Sequence, residues 1–227
     1  MPEPAALAVT AARLTAARHR AELPLLVLGP SLGSAATTSW SEAAAGLTDA
    51  CDVVAWDLPG HGHNRSVPEQ PFTLAELAAG VLAVVDEILL HRDEVGGSFS
   101  YAGIGVGGAV GLQLLLDAPG RVRDAVLIDT DTWAEDATPQ GGPVAYDVRD
   151  RLGEVAVPVL TVSGAQDVAG VVRAHVLGDT VEEGDGALDA LDALEVQLRV
   201  ALANGVTVTE IEDVLRRLGR AGRGAAE

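Results

Sequence analysis

The chain has 227 residues, enough for one domain with a substantial core and a small appendage. Its formal net charge is −18 and all fifteen basic residues are arginine, which argues against nucleic acid or an anionic membrane as a partner. Only 3% of residues are aromatic against 48% hydrophobic, so the core has to be built from Ala, Val and Leu. Cys51 is alone, which leaves no disulfide framework and fits a reducing, cytoplasmic compartment. The first residues carry Glu3 and lack a basic-then-apolar signal pattern, and no apolar run reaches the length of a membrane span.

Residues 1–22 alternate between alanine-rich and polar, and fit either a short first strand or a helix. The apolar run 23–29 is closed by Gly29-Pro30 and reads as a buried strand, followed by a Ser31-Leu32-Gly33-Ser34 loop. Ser39 is placed to N-cap a helix over 40–48. Residues 52–57 form the next strand, ended by the turn Leu58-Pro59-Gly60-His61-Gly62-His63. Thr73 and Glu76 make a capping box that opens a helix running to about His91. Two further buried strands follow at 122–129 and 155–162, the second with Pro158 near its start.

The stretch before them, 98–116, organises the chain. It reads as a strand, a glycine turn, and a helix apolar on nearly every face. The turn Gly103-Ile104-Gly105-Val106-Gly107 has the G-x-S-x-G spacing of a nucleophile elbow, with glycine where the serine belongs. Gly103, Gly105 and Gly108 also fit the dinucleotide fingerprint G-x-G-x-x-G. That fingerprint belongs on the first strand of its domain with an acidic residue downstream at a strand end, whereas Asp124 reads as part of a connection. The elbow reading is therefore preferred. Strands that are continuous apolar runs alternating with helices make a mainly parallel sheet covered on both faces. Ligands of such sheets bind at the carboxyl ends of strands, where Ser31, His61, Gly105, Asp129 and Asp167 fall.

After Gly170 the character changes. Residues 181–192 are acidic and glycine-interrupted, as in a solvated linker. Residues 194–204, the stop Asn204-Gly205, and a second capping box of Thr207 with Glu210 predict an amphipathic helical hairpin. The tail from Arg220 reads as disordered.

Four blocks, Leu25 to Gly33, Asp57 to Gly62, Tyr101 to Gly108 and Val162 to Asp167, together resemble a 3-oxoadipate enol-lactonase, an α/β-hydrolase of the β-ketoadipate pathway of aromatic catabolism. The segment from Gln197 to Leu215, with Val172 to Asp179 before it, resembles 4-carboxymuconolactone decarboxylase, as in fused lactonase/decarboxylase chains. These likenesses imply an α/β-hydrolase domain over 1–170, a helical decarboxylase-like remnant over 171–219, and a disordered tail over 220–227. They imply a small-molecule lactone or ester as ligand, no cofactor, no metal, and a self-association surface on the C-terminal helices. The chain departs from the family in having Gly105 for the nucleophile, little room for the helical lid between Thr132 and Arg151, and Gln197 where the decarboxylases have histidine.

Lactone hydrolysis by this family needs a nucleophile, a base, an acid that orients the base, and two N–H donors for the oxyanion. By resemblance the donors are the backbone N–H groups of Leu32 and Val106, and the acid is Asp167, for which a helix N-cap is the plain alternative. His175 is the one histidine after the acid, and a simple linker histidine is the more economical reading. His61 reads as structural and His63 as solvent-facing. The expectation is a hydrolase with little or no activity, or a non-catalytic binding or assembly protein derived from one.

Overall fold

The computed structural model describes residues 7–14, 22–134, 142–164 and 167–178, all within the compact unit Met1–Val181. In chain order the elements are β1 (Thr10–Arg13), β2 (Leu25–Gly29), α1 (Ala36–Ser39), α2 (Ser41–Leu47), β3 (Asp52–Asp57), α3 (Leu74–Leu90), β4 (Phe99–Ile104), α4 (Val106–Asp117), β5 (Val122–Ile128), β6 (Trp133–Ala134), β7 (Tyr146–Asp147), a 3₁₀ helix (Arg149–Glu154), β8 (Val159–Val162) and α5 (Val168–Leu177). Six strands form one sheet in the order β1-β3-β2-β4-β5-β8. Every pairing in it is parallel except β1 with β3.

The parallel strands β2 to β5 are buried along nearly their whole length, whereas β8 at the edge is half-buried. Alternate residues feed two cores. Leu25, Val27, Val54, Trp56 and Tyr101 pack with α3 and α4. Leu26, Leu28, Val53, Ala55 and Val126 pack with α1, α2 and Val172 of α5. This two-sided period sets the register, because a shift of one residue would exchange the two cores.

Several expectations change. The ambiguous N-terminal stretch contributes an edge strand, β1, whose register pairs Thr10 with Asp57. Ser39 does not cap the following helix: helix begins earlier, at Ala36, whose N–H is taken by Asp57 Oδ1 at 2.7 Å, and α2 has no side-chain cap. A carboxylate from another strand has replaced the local cap. Asp124 lies inside β5, 8% exposed, where its Oδ2 accepts from Ser100 Oγ at 3.1 Å. The strand expected over 155–162 starts only after Pro158, whose carbonyl accepts from Ala125 N–H. α5 runs across residue 170 and packs against α2 and β5. In the place of a helical lid stand the short antiparallel pair β6–β7 and the 3₁₀ helix. The C-terminal hairpin and tail lie outside the described residues. Among those described, no helix is long and apolar enough to cross a membrane.

The capping box of α3 is present as expected: Glu76 N–H donates to Thr73 Oγ1 at 3.1 Å and Thr73 N–H to Glu76 Oε2 at 2.8 Å. The backbone bond from Thr73, helped by its hydroxyl, lowers the Glu76 carboxyl below its ordinary range. A folded-state pKa depressed in this way contributes stability above the unfolded value and loses it as pH falls through the folded one. Thr73→Ala should cost about 1 kcal/mol in urea unfolding at neutral pH, and the gap from the parent chain should narrow in acid.

Candidate active site

β4 ends at Ile104 and α4 begins at Val106, so the whole turn from strand to helix falls on Gly105. Its backbone sits at φ 54, ψ −116, a region that glycine enters freely and that strains other residues. Gly105 N–H donates to Ile128 O at 2.8 Å, and Gly107 N–H to Pro30 O at 3.0 Å, so both neighbouring strands hold the turn.

The flanking glycines are explained by contact. A Cβ on Gly103 would overlap the backbone of Gly107 and Gly108; one on Gly107 would stand 2.6 Å from Pro30 O. Beneath them Tyr101 OH donates to Gly107 O at 2.7 Å and accepts from Trp56 Nε1 at 3.2 Å. Burial pushes the Tyr101 phenol far up, so it stays a neutral donor. At Gly105 the situation is opposite: a Cβ there would meet only Asp129 O, at 4.0 Å. The turn is packed tightly from below and open above, where a nucleophile would project.

The two backbone donors expected from the family resemblance are those of Leu32, in the loop after β2, and Val106, at the start of α4. Leu32 follows Pro30, whose carbonyl is tied to the first turn of α4, and Val106 is the first residue of α4. Neither N–H donates to an acceptor among the described residues. No acidic side chain stands in the first turn of α4, so the positive end of that helix faces the opening uncompensated.

The remaining residues do not assemble a triad. Asp167 is the N-cap of α5, its Oδ1 accepting from Gly170 N–H at 2.8 Å. His175 lies near the other end of the same helix, about 12 Å along its axis at the standard helical rise. Its Nε2 is buried without a hydrogen-bond partner. The acid and base placed by resemblance are therefore not a hydrogen-bonded pair, since one helix separates them. Asp129, just past β5, has φ 47 and spends Oδ1 on Gly164 N–H at 2.9 Å. Burial, the leading cause, pushes the Cys51 thiol up to about 11, which keeps it protonated and inert. Among the described residues no group of three or more His, Cys, Asp or Glu could hold a metal ion.

At the start of α1, Asp57 does more than its sequence position suggested. It is 2% exposed, and it accepts from Ala36 N–H, from His63 N–H at 2.8 Å, and from the His63 ring, whose Nδ1 is 3.2 Å from Oδ2. His61 Nδ1 instead lies 2.9 Å from Pro59 O, a lock within its own turn.

A parallel sheet with one antiparallel edge strand, helices on both faces and a glycine elbow between β4 and α4 defines a hydrolase scaffold of the α/β type. The chain matches the α/β hydrolase fold family over residues 24–177, and it belongs to that family. It is 34% identical over 151 residues to the dihydrolipoyllysine-residue acetyltransferase component of the acetoin cleaving system of Cupriavidus necator, covering 65% of this chain and 37% of that protein. It is 23% identical over 224 residues to 3-oxoadipate enol-lactonase 2 of Acinetobacter baylyi, covering 72% of this chain and 81% of that one. The chain thus spans well under half of the first relative and most of the second. A crystal structure of a hydrolase from Pseudomonas aeruginosa shares the fold, with a TM-score of 0.56 at 23% identity over 86% of this chain and 94% of that chain.

The packing beneath the elbow is open to test. Gly107→Ala should destabilise the protein by about 1–3 kcal/mol or more in urea unfolding, because both neighbours of the new methyl are backbone. Gly153→Ala, where nothing lies within 4 Å, should be close to neutral.

Proposed function

We propose that this chain is an α/β hydrolase of the 3-oxoadipate enol-lactonase type in which serine-dependent hydrolysis is absent or very low. The ligand is a small enol-lactone or related carboxylic ester, and the lineage is that of the β-ketoadipate pathway. The observation that carries the reading is Gly105: elbow dihedrals of 54 and −116 with open space above and no side chain to fill it. The quoted motif blocks and the likeness to the A. baylyi lactonase support the substrate class.

In this reading the lactone carbonyl oxygen rests on the N–H groups of Leu32 and Val106, which tolerate side-chain change because they are backbone. The acyl-enzyme route is closed for want of a hydroxyl. Loss of the nucleophile in comparable triads costs about 10⁶-fold in kcat, and the oxyanion hole alone retains about 10³-fold over water. A site reduced in this way favours binding over turnover. That gives the second reading, a binding protein derived from the enzyme, its support in the same vacancy at Gly105.

Hydrolysis of 4-nitrophenyl acetate and of 3-oxoadipate enol-lactone, with equilibrium dialysis of 3-oxoadipate, tests the proposal. Gly105→Ser should raise the rate by no more than about tenfold, because Asp167 and His175 do not form a base-and-acid pair behind the new hydroxyl. Adding Asp167→Ala should leave that rate unchanged in protein shown to be folded, since Asp167 serves as an N-cap. A rise of several orders of magnitude that Asp167→Ala abolishes would instead mean a working triad frame. Failure of the parent chain to bind either lactone or product would remove the lactonase reading.

A further inference from the structure

His63 reads from the sequence as a solvent-facing loop residue, and its side chain is indeed 63% exposed. Its inner edge is another matter. Asp57 Oδ2 receives both the His63 N–H and the ring Nδ1, while Oδ1 receives Ala36 N–H. An ionised carboxylate only accepts, so Nδ1 carries the ring proton and Nε2 keeps its lone pair on the side away from Asp57. The loop is shaped for this contact: Gly62 has φ 52, and a Cβ on it would press on the Asp57 carboxylate. A buried aspartate fixing the tautomer of an imidazole whose other nitrogen is free is the relation between orienter and base in hydrolytic triads.

The placement suits the same role. Asp57 is the last residue of β3, and the pairings Leu28 with Ala55 and Gly29 with Gly103 set Asp57, Pro30 and Ile104 on one row at the carboxyl edge of the sheet. From β3 across β2 to the elbow strand β4 is about 10 Å, two strand spacings. One carboxylate holds both the imidazole and Ala36, the first residue of α1, which follows the loop carrying Leu32. His63, the oxyanion loop and the vacant elbow therefore follow one another along a single edge.

We infer that His63 is a general base for direct attack of water on a carboxylic ester or lactone carbonyl bound at this edge, with Asp57 as its positioning residue; this rests on the ester-site reading above. Nε2 takes a proton from water as the water oxygen bonds to the carbonyl carbon, and the displaced electron pair moves to the carbonyl oxygen facing Leu32 and Val106. Collapse of the tetrahedral species breaks the acyl C–O bond, and the leaving oxygen takes the proton back from Nε2. One water is consumed, a carboxylic acid and an enol or alcohol are released, and nothing is oxidised or reduced. No side chain at position 105 is required.

The test uses the full chain and the slow hydrolysis of 3-oxoadipate enol-lactone and 4-nitrophenyl acetate above the buffer rate. His63→Gln should lose at least about tenfold of that rate, and His63→Ala should regain part of it when free imidazole is added. Rescue counted only above the protein-free rate at the same imidazole concentration would not follow from a purely structural role. His91→Gln removes another exposed ring, one that faces only the Glu87 carbonyl, and should leave the rate within about twofold. Asp57→Asn should lower the rate in the same direction as His63→Gln, read only in protein shown to be folded. If the parent chain binds 3-oxoadipate but hydrolyses nothing above buffer, or if His63→Gln is as fast as the parent, the role of His63 is overturned while the ester-site reading stands. If neither lactone nor product binds to any of these proteins, the ester-site reading fails and this inference with it.

Discussion

The close approach of three backbones at the elbow is the constraint on which the rest depends. β4 must turn into α4 within one residue, and α4 must then run across the ends of β2 and β4 without side chains between. Gly103 and Gly107 permit the contact, the bond from Gly107 N–H to Pro30 O fastens it, and the Trp56–Tyr101–Gly107 relay supports it from the core. None of these interactions needs a side chain at position 105. That is why the backbone keeps the shape of an elbow with glycine at its centre.

β3 repeats the same economy with charge. Its first residue, Asp52, is 1% exposed and is held by Arg13 Nε at 2.9 Å and Arg92 Nη1 at 2.7 Å. Its last residue, Asp57, is held by two backbone N–H groups and the His63 ring. A buried carboxylate is costly unless its oxygens are satisfied. At one end of the strand arginines supply the partners, which fixes the strand and the end of α3 together. At the other end backbone groups and a histidine supply them, which leaves an imidazole nitrogen directed outward at the functional edge of the sheet. The second arrangement is the one with chemical use.

The elements with strong periodicity were legible in the sequence. β2 is an unbroken apolar run, β3 and β4 are mostly apolar, α3 carries its capping box, and the glycine spacing of 103–107 announced the elbow. What failed to show was whatever depends on partners distant in sequence. Ser39 is a good local cap, yet Asp57 arrives from another strand and starts the helix at Ala36. Asp124 looked like a loop acid because its role, bonding Ser100 on the neighbouring strand, is visible only once β4 and β5 are paired. Asp167 and His175 follow one another in sequence as acid and base should, but a single helix runs between them and keeps them apart. His63 was the reverse case: unremarkable in sequence, and given meaning by the carboxylate beneath it. An aspartate closing a strand immediately before a Pro-Gly-His-Gly turn was the available signal.

With glycine at position 105, the elbow itself offers no hydroxyl to acylate. The most direct measurement is the pre-steady-state release of 4-nitrophenol when the parent chain is mixed with excess 4-nitrophenyl acetate. A linear trace from the first turnover is expected, because water attacks directly and no covalent intermediate accumulates. A burst equal to one product per protein molecule would contradict it, since it would mean that a nucleophile other than the missing serine is acylated.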